Sequence, residues 1–156
     1  MIHLDIPGRG PLALDHLLLD LNGTLALDGQ LLPGVSSRLA ALSSAVTIHL
    51  LTADTAGNAA PIADRLGIPL SRIKSGDEAR QKQAFIEWLG ADRVVAIGNG
   101  ANDAEMLSAA ALGIAVLGPE GLATAALRGA DLVVSRVEDA LDLLLYPRRL
   151  VATLRR

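Results

Sequence analysis

The 156-residue chain carries four short stretches whose side chains suit chemistry on phosphorus. In the first, Leu17-Leu18-Leu19 runs straight into Asp20, and the polar turn Asn22-Gly23-Thr24 follows. A carboxylate at the end of an apolar strand can ligate a metal or attack phosphorus as a nucleophile. The second stretch, Thr52-Ala53-Asp54-Thr55, closes an apolar run over residues 46–51. The third is Lys82, which opens a helical stretch. The fourth, Gly98-Asn99-Gly100-Ala101-Asn102-Asp103, closes the apolar run 94–97. A carboxylate, a hydroxyl, a cation and a second acidic cluster suit the handling of a phosphoryl group on Mg²⁺. That ion takes hard oxygen ligands, and phosphoryl oxygens need a cation and hydroxyl or amide donors to spread their charge.

These groups act together only if the intervening elements bring them to one rim. Ile2, Leu4 and Ile6 alternate with polar residues, and Pro7-Gly8-Arg9-Gly10 precedes a second alternation at Leu12 and Leu14. This predicts a β-hairpin over residues 1–15. A strand follows over 16–21. Asp28-Gly29, flanked by Leu25/Leu27 and Leu31/Leu32, predicts a small hairpin flap over 24–32. Pro33 then opens a helix with Val35, Leu39 and Leu42 on one face. Beyond the strand at 46–51, a helix from about 56 to 66 stops at Gly67. A short strand is expected at 71–74 and a helix at 77–89. Strands at 94–97, 112–116 and 132–134 alternate with helices at 103–110, 122–127 and 137–145. Residues 146–156 read as a basic C-terminal tail, a solvated helix end, carrying Arg148, Arg149, Arg155 and Arg156. Alternating strands and helices predict an α/β fold, a Rossmann-like three-layer sandwich around a mostly parallel sheet, in one domain spanning residues 1–156. In such sheets ligands sit at the carboxyl ends of the strands, where the four stretches fall.

Composition narrows the function classes. Hydrophobic residues make up 51% of the chain but aromatics only 2%, so Leu, Ala, Val and Ile must fill the core. The chain has no Cys, hence no disulfide framework and no thiolate metal site. A formal net charge of −3 argues against nucleic acid as the default partner. No apolar run is long enough to span a bilayer and no basic-then-apolar segment opens the chain, so a cytoplasmic location is expected. The small size of the 24–32 flap, and the apolar face or free edge that the 1–15 hairpin offers, lead to the expectation of a homo-oligomer.

The four stretches, in this order, resemble the motifs of the haloacid dehalogenase superfamily, whose first is usually Asp-x-Asp-Gly-Thr and fourth Gly-Asp-Gly-x-Asn-Asp. The resemblance covers roughly residues 17–145. It is closest to the phosphorylation domain of P-type cation ATPases, through Leu51-Thr52-Ala53-Asp54 and the run Ala101-Asn102-Asp103-Ala104-Glu105-Met106-Leu107. It implies a stand-alone relative with a minimal cap or none. It also implies Asp20 as the nucleophile that becomes an aspartyl phosphate, with Thr52 and Lys82 on the phosphoryl oxygens. Ala53 and Gly23 join the phosphate cradle. Mg²⁺ falls to Asp20, the backbone carbonyl of Asn22, Asn99 and Asp103, supported by Thr24, Asp54 and Asn102. The implied substrate is a small phosphorylated molecule.

Two positions depart from the family pattern. Asn22 stands where the phosphatases carry the Asp that protonates the leaving group and activates water, and an amide does neither. Asn99 stands where a metal-ligating Asp is usual, so metal affinity is expected to be lower. The leading expectation is a Mg²⁺-dependent phosphohydrolase or phosphotransferase of slow turnover. Its rivals are a catalytically weak phosphate- or metal-binding regulatory protein, and a transporter-associated subunit docking through the basic tail.

Overall fold

A computed structural model describes residues 1–54 and 57–156. Thr55, and Ala56 at the expected start of a helix, lie outside the described residues. Ten strands and seven α-helices alternate along these parts of the chain. Ile2–Ile6 (β1) and Gly10–Leu14 (β2) form the antiparallel hairpin. His16–Leu19 (β3) leads to Asp20. Ala26–Leu27 (β4) and Gln30–Leu31 (β5) pair as a second, minimal hairpin. Its turn residues Asp28 and Gly29 both take positive φ, 49° and 75°, the left-handed pair that a two-residue hairpin turn needs. Val35–Leu42 (α1), Thr47–Thr52 (β6), Ala59–Leu66 (α2), Leu70–Arg72 (β7), Glu78–Leu89 (α3) and Val94–Gly98 (β8) follow. Then come Ala104–Ala109 (α4), Leu112–Val116 (β9), Thr124–Gly129 (α5), Leu132–Val134 (β10), Val137–Leu145 (α6) and Pro147–Leu154 (α7).

Six strands build one parallel sheet in the order β10-β9-β8-β3-β6-β7. The central strand is β3, so the two crossover directions diverge on either side of it. Alternation along β3 divides the core. Leu17 and Leu19 pack with Val35, Leu39, Leu50, Ile62, Val95, Ile97 and Leu141 beneath α1, α2 and α6. Leu18 faces the other way, with Leu51, Ile86, Val94, Met106 and Ala126 beneath α3, α4 and α5. Because both faces are covered, β3, β8 and β9 are almost continuously apolar. The result is the three-layer sandwich expected from the alternation.

Local boundaries differ for local reasons. Gly34 takes φ 77°, so α1 begins at Val35 rather than at Pro33. The short strand is Leu70–Arg72 rather than 71–74, in register with Leu50 to Thr52. Ahead of α4, Ala101–Asp103 form a single 3₁₀ turn, and α5 starts at Thr124 rather than at 122. The largest difference is the C-terminal segment. Residues 147–154 form α7, packed rather than solvated, because Pro147 restarts the helix after Tyr146 and Leu150 is fully buried. This helix packs on β1. The apolar face of the hairpin, expected to suit a second copy, is therefore covered within the same chain: Ile2, Leu4, Ile6 and Leu14 all lie in the core. Among the described residues no helix is long and apolar enough to cross a membrane.

Candidate active site

Asp20, Thr52, Asn99 and Asp103 lie at the carboxyl ends of three neighbouring strands, β3, β6 and β8, and all four are buried. Lys82, on α3, is also buried, with only 1% of its surface exposed. A buried ammonium must be matched by acceptors, and here it has two. Lys82 Nζ donates to Asp20 Oδ1 at 2.7 Å and to Asp103 Oδ1 at 2.6 Å. Asp103 is anchored on its far side, where Oδ2 accepts the backbone N–H groups of Asn99 (3.0 Å) and Gly100 (2.9 Å). Its carboxyl lies so close to Gly98 that a Cβ there would stand 2.5 Å from Asp103 Cγ. Glycine at 98 is therefore a packing requirement of the acidic residue five positions on.

Burial and close contact shift the Asp20 carboxyl and the Lys82 ammonium. Burial pushes the Asp20 carboxyl up to about 7 and the neighbouring Asp103 charge adds to this, while Lys82 and Thr24 oppose it only in part. Burial would lower the Lys82 ammonium, but the two carboxylates outweigh burial and hold it above its ordinary value. One lysine thus serves two carboxyl groups, and the site disfavours a second negative charge on them.

The remaining residues frame a cleft of about 280 Å³. Asp20, Asn22, Thr52, Ala53, Asp54, Lys82, Asn99 and Asn102 all line it, so the strand-end stretches and the α3 lysine do converge. Thr24 Oγ1 lies 3.3 Å from Asp20 Oδ2 and 3.1 Å from Asn99 Oδ1. The Thr52 hydroxyl accepts the Asp54 N–H at 3.2 Å, and Asp54 Oδ1 accepts the N–H groups of Asn58 and Ala59 at the start of α2. Asp54 therefore serves the turn into α2, and its Oδ2 lies 3.4 Å from Arg72. The Gly23 amide donates to the Ala26 carbonyl at 2.8 Å. That N–H is committed to the flap turn, which removes it from the expected phosphate cradle.

Sequence reasoning passed over two carboxylates that line the same cleft, Glu78 and Glu120. Glu78 accepts from Asn102 Nδ2 at 2.7 Å. It stands one helical turn before Lys82 on α3, a spacing that signals a shared face once Lys82 is chosen. Glu120 belongs to the loop after β9, where Gly118-Pro119-Glu120-Gly121 carries only a turn signal.

The donor set suits a hard dication. Among the described residues no three His, Cys, Asp or Glu side chains form a ready cage. However, Asp20 Oδ2 and Asn99 Oδ1 face the same hydroxyl, whose one proton satisfies one of them at a time. Two hard oxygens within reach of one point, beside a pair of carboxyl groups that share one lysine, match the preferences of Mg²⁺.

Comparison with known proteins agrees with the fold. A family model for haloacid dehalogenase-like hydrolases matches residues 4–111, more than two thirds of the chain. The chain belongs to that hydrolase family. An uncharacterized protein of Methanocaldococcus jannaschii is 42% identical over 90 residues, covering 55% of this chain and 97% of the relative. Among solved structures, a 3-deoxy-D-manno-octulosonate 8-phosphate phosphatase from Moraxella catarrhalis superposes with a TM-score of 0.67 at 20% identity. The match covers 91% of this chain and 94% of that one, and that structure is a complex with magnesium, phosphate and the sugar acid. The cobalt-bound form of the corresponding phosphatase from Haemophilus influenzae gives a TM-score of 0.70 at 13% identity, covering 92% and 94% of the two chains. At these identities the solved structures speak for a shared fold.

Proposed function

We propose that this hydrolase is a phosphatase that removes phosphoryl groups from small phosphorylated molecules through an aspartyl phosphate on Asp20. The observation that carries the reading is Lys82 held between Asp20 and Asp103 at the strand-end rim. The ammonium keeps the Asp20 oxygen directed and offsets the charge brought in by a phosphate ester. The phosphatase neighbours supply analogy in fold.

In the first half of the reaction an Asp20 oxygen bonds to phosphorus as the ester oxygen leaves with its electron pair. Asn22 has no proton to give at neutral pH, so good leaving groups are favoured. In this reading Lys82 and the Thr52 hydroxyl hold the phosphoryl oxygens. In the second half, water adds to phosphorus, the bond to Asp20 breaks, and phosphate departs with the carboxylate restored. No carboxylate stands at position 22 to take the proton of that water, so this half limits turnover. Asp20, the Asn22 carbonyl and Asn99 Oδ1 would hold Mg²⁺, with Asp103 anchoring the loop behind them. The ion would screen the phosphoryl oxygens and strengthen phosphorus as an electrophile.

Rapid-quench trapping with acetyl phosphate and Mg²⁺ tests the reading. The expected result is a burst of about one acid-stable phosphoryl group per site, lost on Asp20→Asn, followed by slow release. No trapped phosphoenzyme and no phosphate release would replace it with a phosphate- or metal-binding regulatory role.

A further inference from the structure

The loop after β9 places one carboxylate at this site that neither the family motifs nor the strand ends account for. Glu120 lines the same cleft as Asp20, Asn22 and Asn99. Its side chain lies against the α-carbon of Gly23. A Cβ on Gly23 would collide with Glu120 Oε2, would stand 3.0 Å from Glu120 Cδ, and would stand 2.9 Å from Asn99 Nδ2. Glu120 and the Asn99 side chain therefore converge on one point above the first motif.

The loop is tied down by Asn99 itself. Asn99 Nδ2 donates to the Gly121 carbonyl at 3.1 Å, and the Asn99 carbonyl accepts the Ala123 N–H at 2.9 Å. Those two bonds bracket the segment just after Glu120. On its other side, Gly118 (φ 56°) donates to Ser135, and Gly121 (φ 86°) donates to the Gly118 carbonyl at 3.3 Å, closing a tight turn with Glu120 inside it. A carboxylate at position 99 has no N–H to give Gly121 and would face that carbonyl with like charge. The amide at 99 and the acid at 120 thus fit each other: one gives up the charge and gains a donor, and the donor fixes the loop that carries the charge.

We propose that Glu120 supplies, directly or through one water, the negative charge toward the metal that Asn99 lacks, and that Asn99 acts as the positioning residue for its loop. The proposal rests on the metal-dependent phosphatase reading above. It explains how a site without an acid at position 99 can still hold a hard dication: charge at close range raises affinity for the ion whichever strand or loop delivers it.

Calorimetric titration with Mg²⁺ and with Mn²⁺, without substrate, tests it on the full chain. Glu120 is exposed, so its replacement should leave the fold intact, which circular dichroism checks. Glu120→Gln is expected to weaken metal binding by about 10-fold or more, the range seen when a residue supporting a metal ligand is removed. Adding Asn99→Asp to that variant is expected to recover most of the loss, because an acid then stands at 99. The two changes should therefore be strongly non-additive. Wild-type metal affinity in Glu120→Gln would overturn the proposal. If turnover nevertheless fell in that variant, Glu120 would belong to proton transfer, which overturns it equally. Absence of metal binding by the wild-type protein would overturn this proposal together with the metal-dependent reading beneath it. Loss confined to Glu120→Gln leaves that reading standing and supports the proposal.

Discussion

Asn22 decides what the proposed nucleophile can accomplish. Asp20 can attack a phosphate with a good leaving group unaided, but the acyl phosphate then waits for a base that position 22 does not provide. A positioned general base contributes about 10²- to 10⁴-fold, or roughly 3–5 kcal/mol of barrier. Asn22→Asp is therefore expected to speed steady-state phosphate release by about that factor while lowering the trapped phosphoenzyme. Continuous phosphate assays alongside rapid quench check both. Asp20 itself sits in a site that penalises its charge. Its carboxyl is raised to about 7 against 3.8, so the folded state binds more protons than the unfolded state between those values. Its contribution to stability is fully present below pH 3.8 and is lost as pH rises through about 7. Asp20→Asn is expected to melt higher than wild type at pH 8 without metal, by about 2–4 °C for each kcal/mol relieved, and to converge with it near pH 4. Scanning calorimetry at the two pH values measures this.

At the scale of elements, α3 is the part whose placement matters most. It is twelve residues long, and its buried positions are Lys82 and Ile86, one turn apart. Ile86 anchors the helix in the core beside Leu18 and Leu51, and Lys82 points from the same stripe into the rim. Removing the cation leaves Asp20 and Asp103 buried and facing each other. Lys82→Met keeps the length of the stem and is expected to cost about 3–5 kcal/mol at neutral pH, measured by urea denaturation. The deficit should shrink in acid, where the carboxylates take up protons, and that recovery separates a charge effect from poor packing. The loop of residues 117–123 is the second such element. It is held to β8 by Asn99 and to the end of β10 by Ser135, so a loop that reads as a plain turn becomes one wall of the site.

For the whole molecule, covering both faces of the parallel sheet leaves the strand ends as the natural place for a polar rim. The core divides at β3, where Leu17 and Leu19 face one helix layer and Leu18 the other. The minimal β4–β5 hairpin is the flap beside Asp20, and the cleft carries the carboxylates Asp20, Asp54, Glu78 and Glu120 against Lys82. An acidic lining disfavours highly charged phosphates unless a cation accompanies them. Helix α7 closes the opposite part of the fold by seating Leu150 against the β1 hairpin.

The sequence alone determined the α/β alternation, because a strand buried on both faces must read as an unbroken apolar run. It also determined the strand-end acids and hydroxyl and the lysine, because their types and order follow a family pattern. Val35, Leu39 and Leu42 were legible as one buried face from their spacing, and Asp28-Gly29 as a two-residue turn. Tertiary structure decided what spacing cannot encode. Glu120 reaches the cleft because contacts between separate segments hold its loop, Asn99 with Gly121 and Gly118 with Ser135 among them. Gly23 loses its amide to Ala26 because the flap folds back on it. The arginine-bearing C-terminal segment became a packed helix because Leu150, with Val151 and Leu154 beside it, found the core, and their spacing marks an apolar face without saying which strand it will cover.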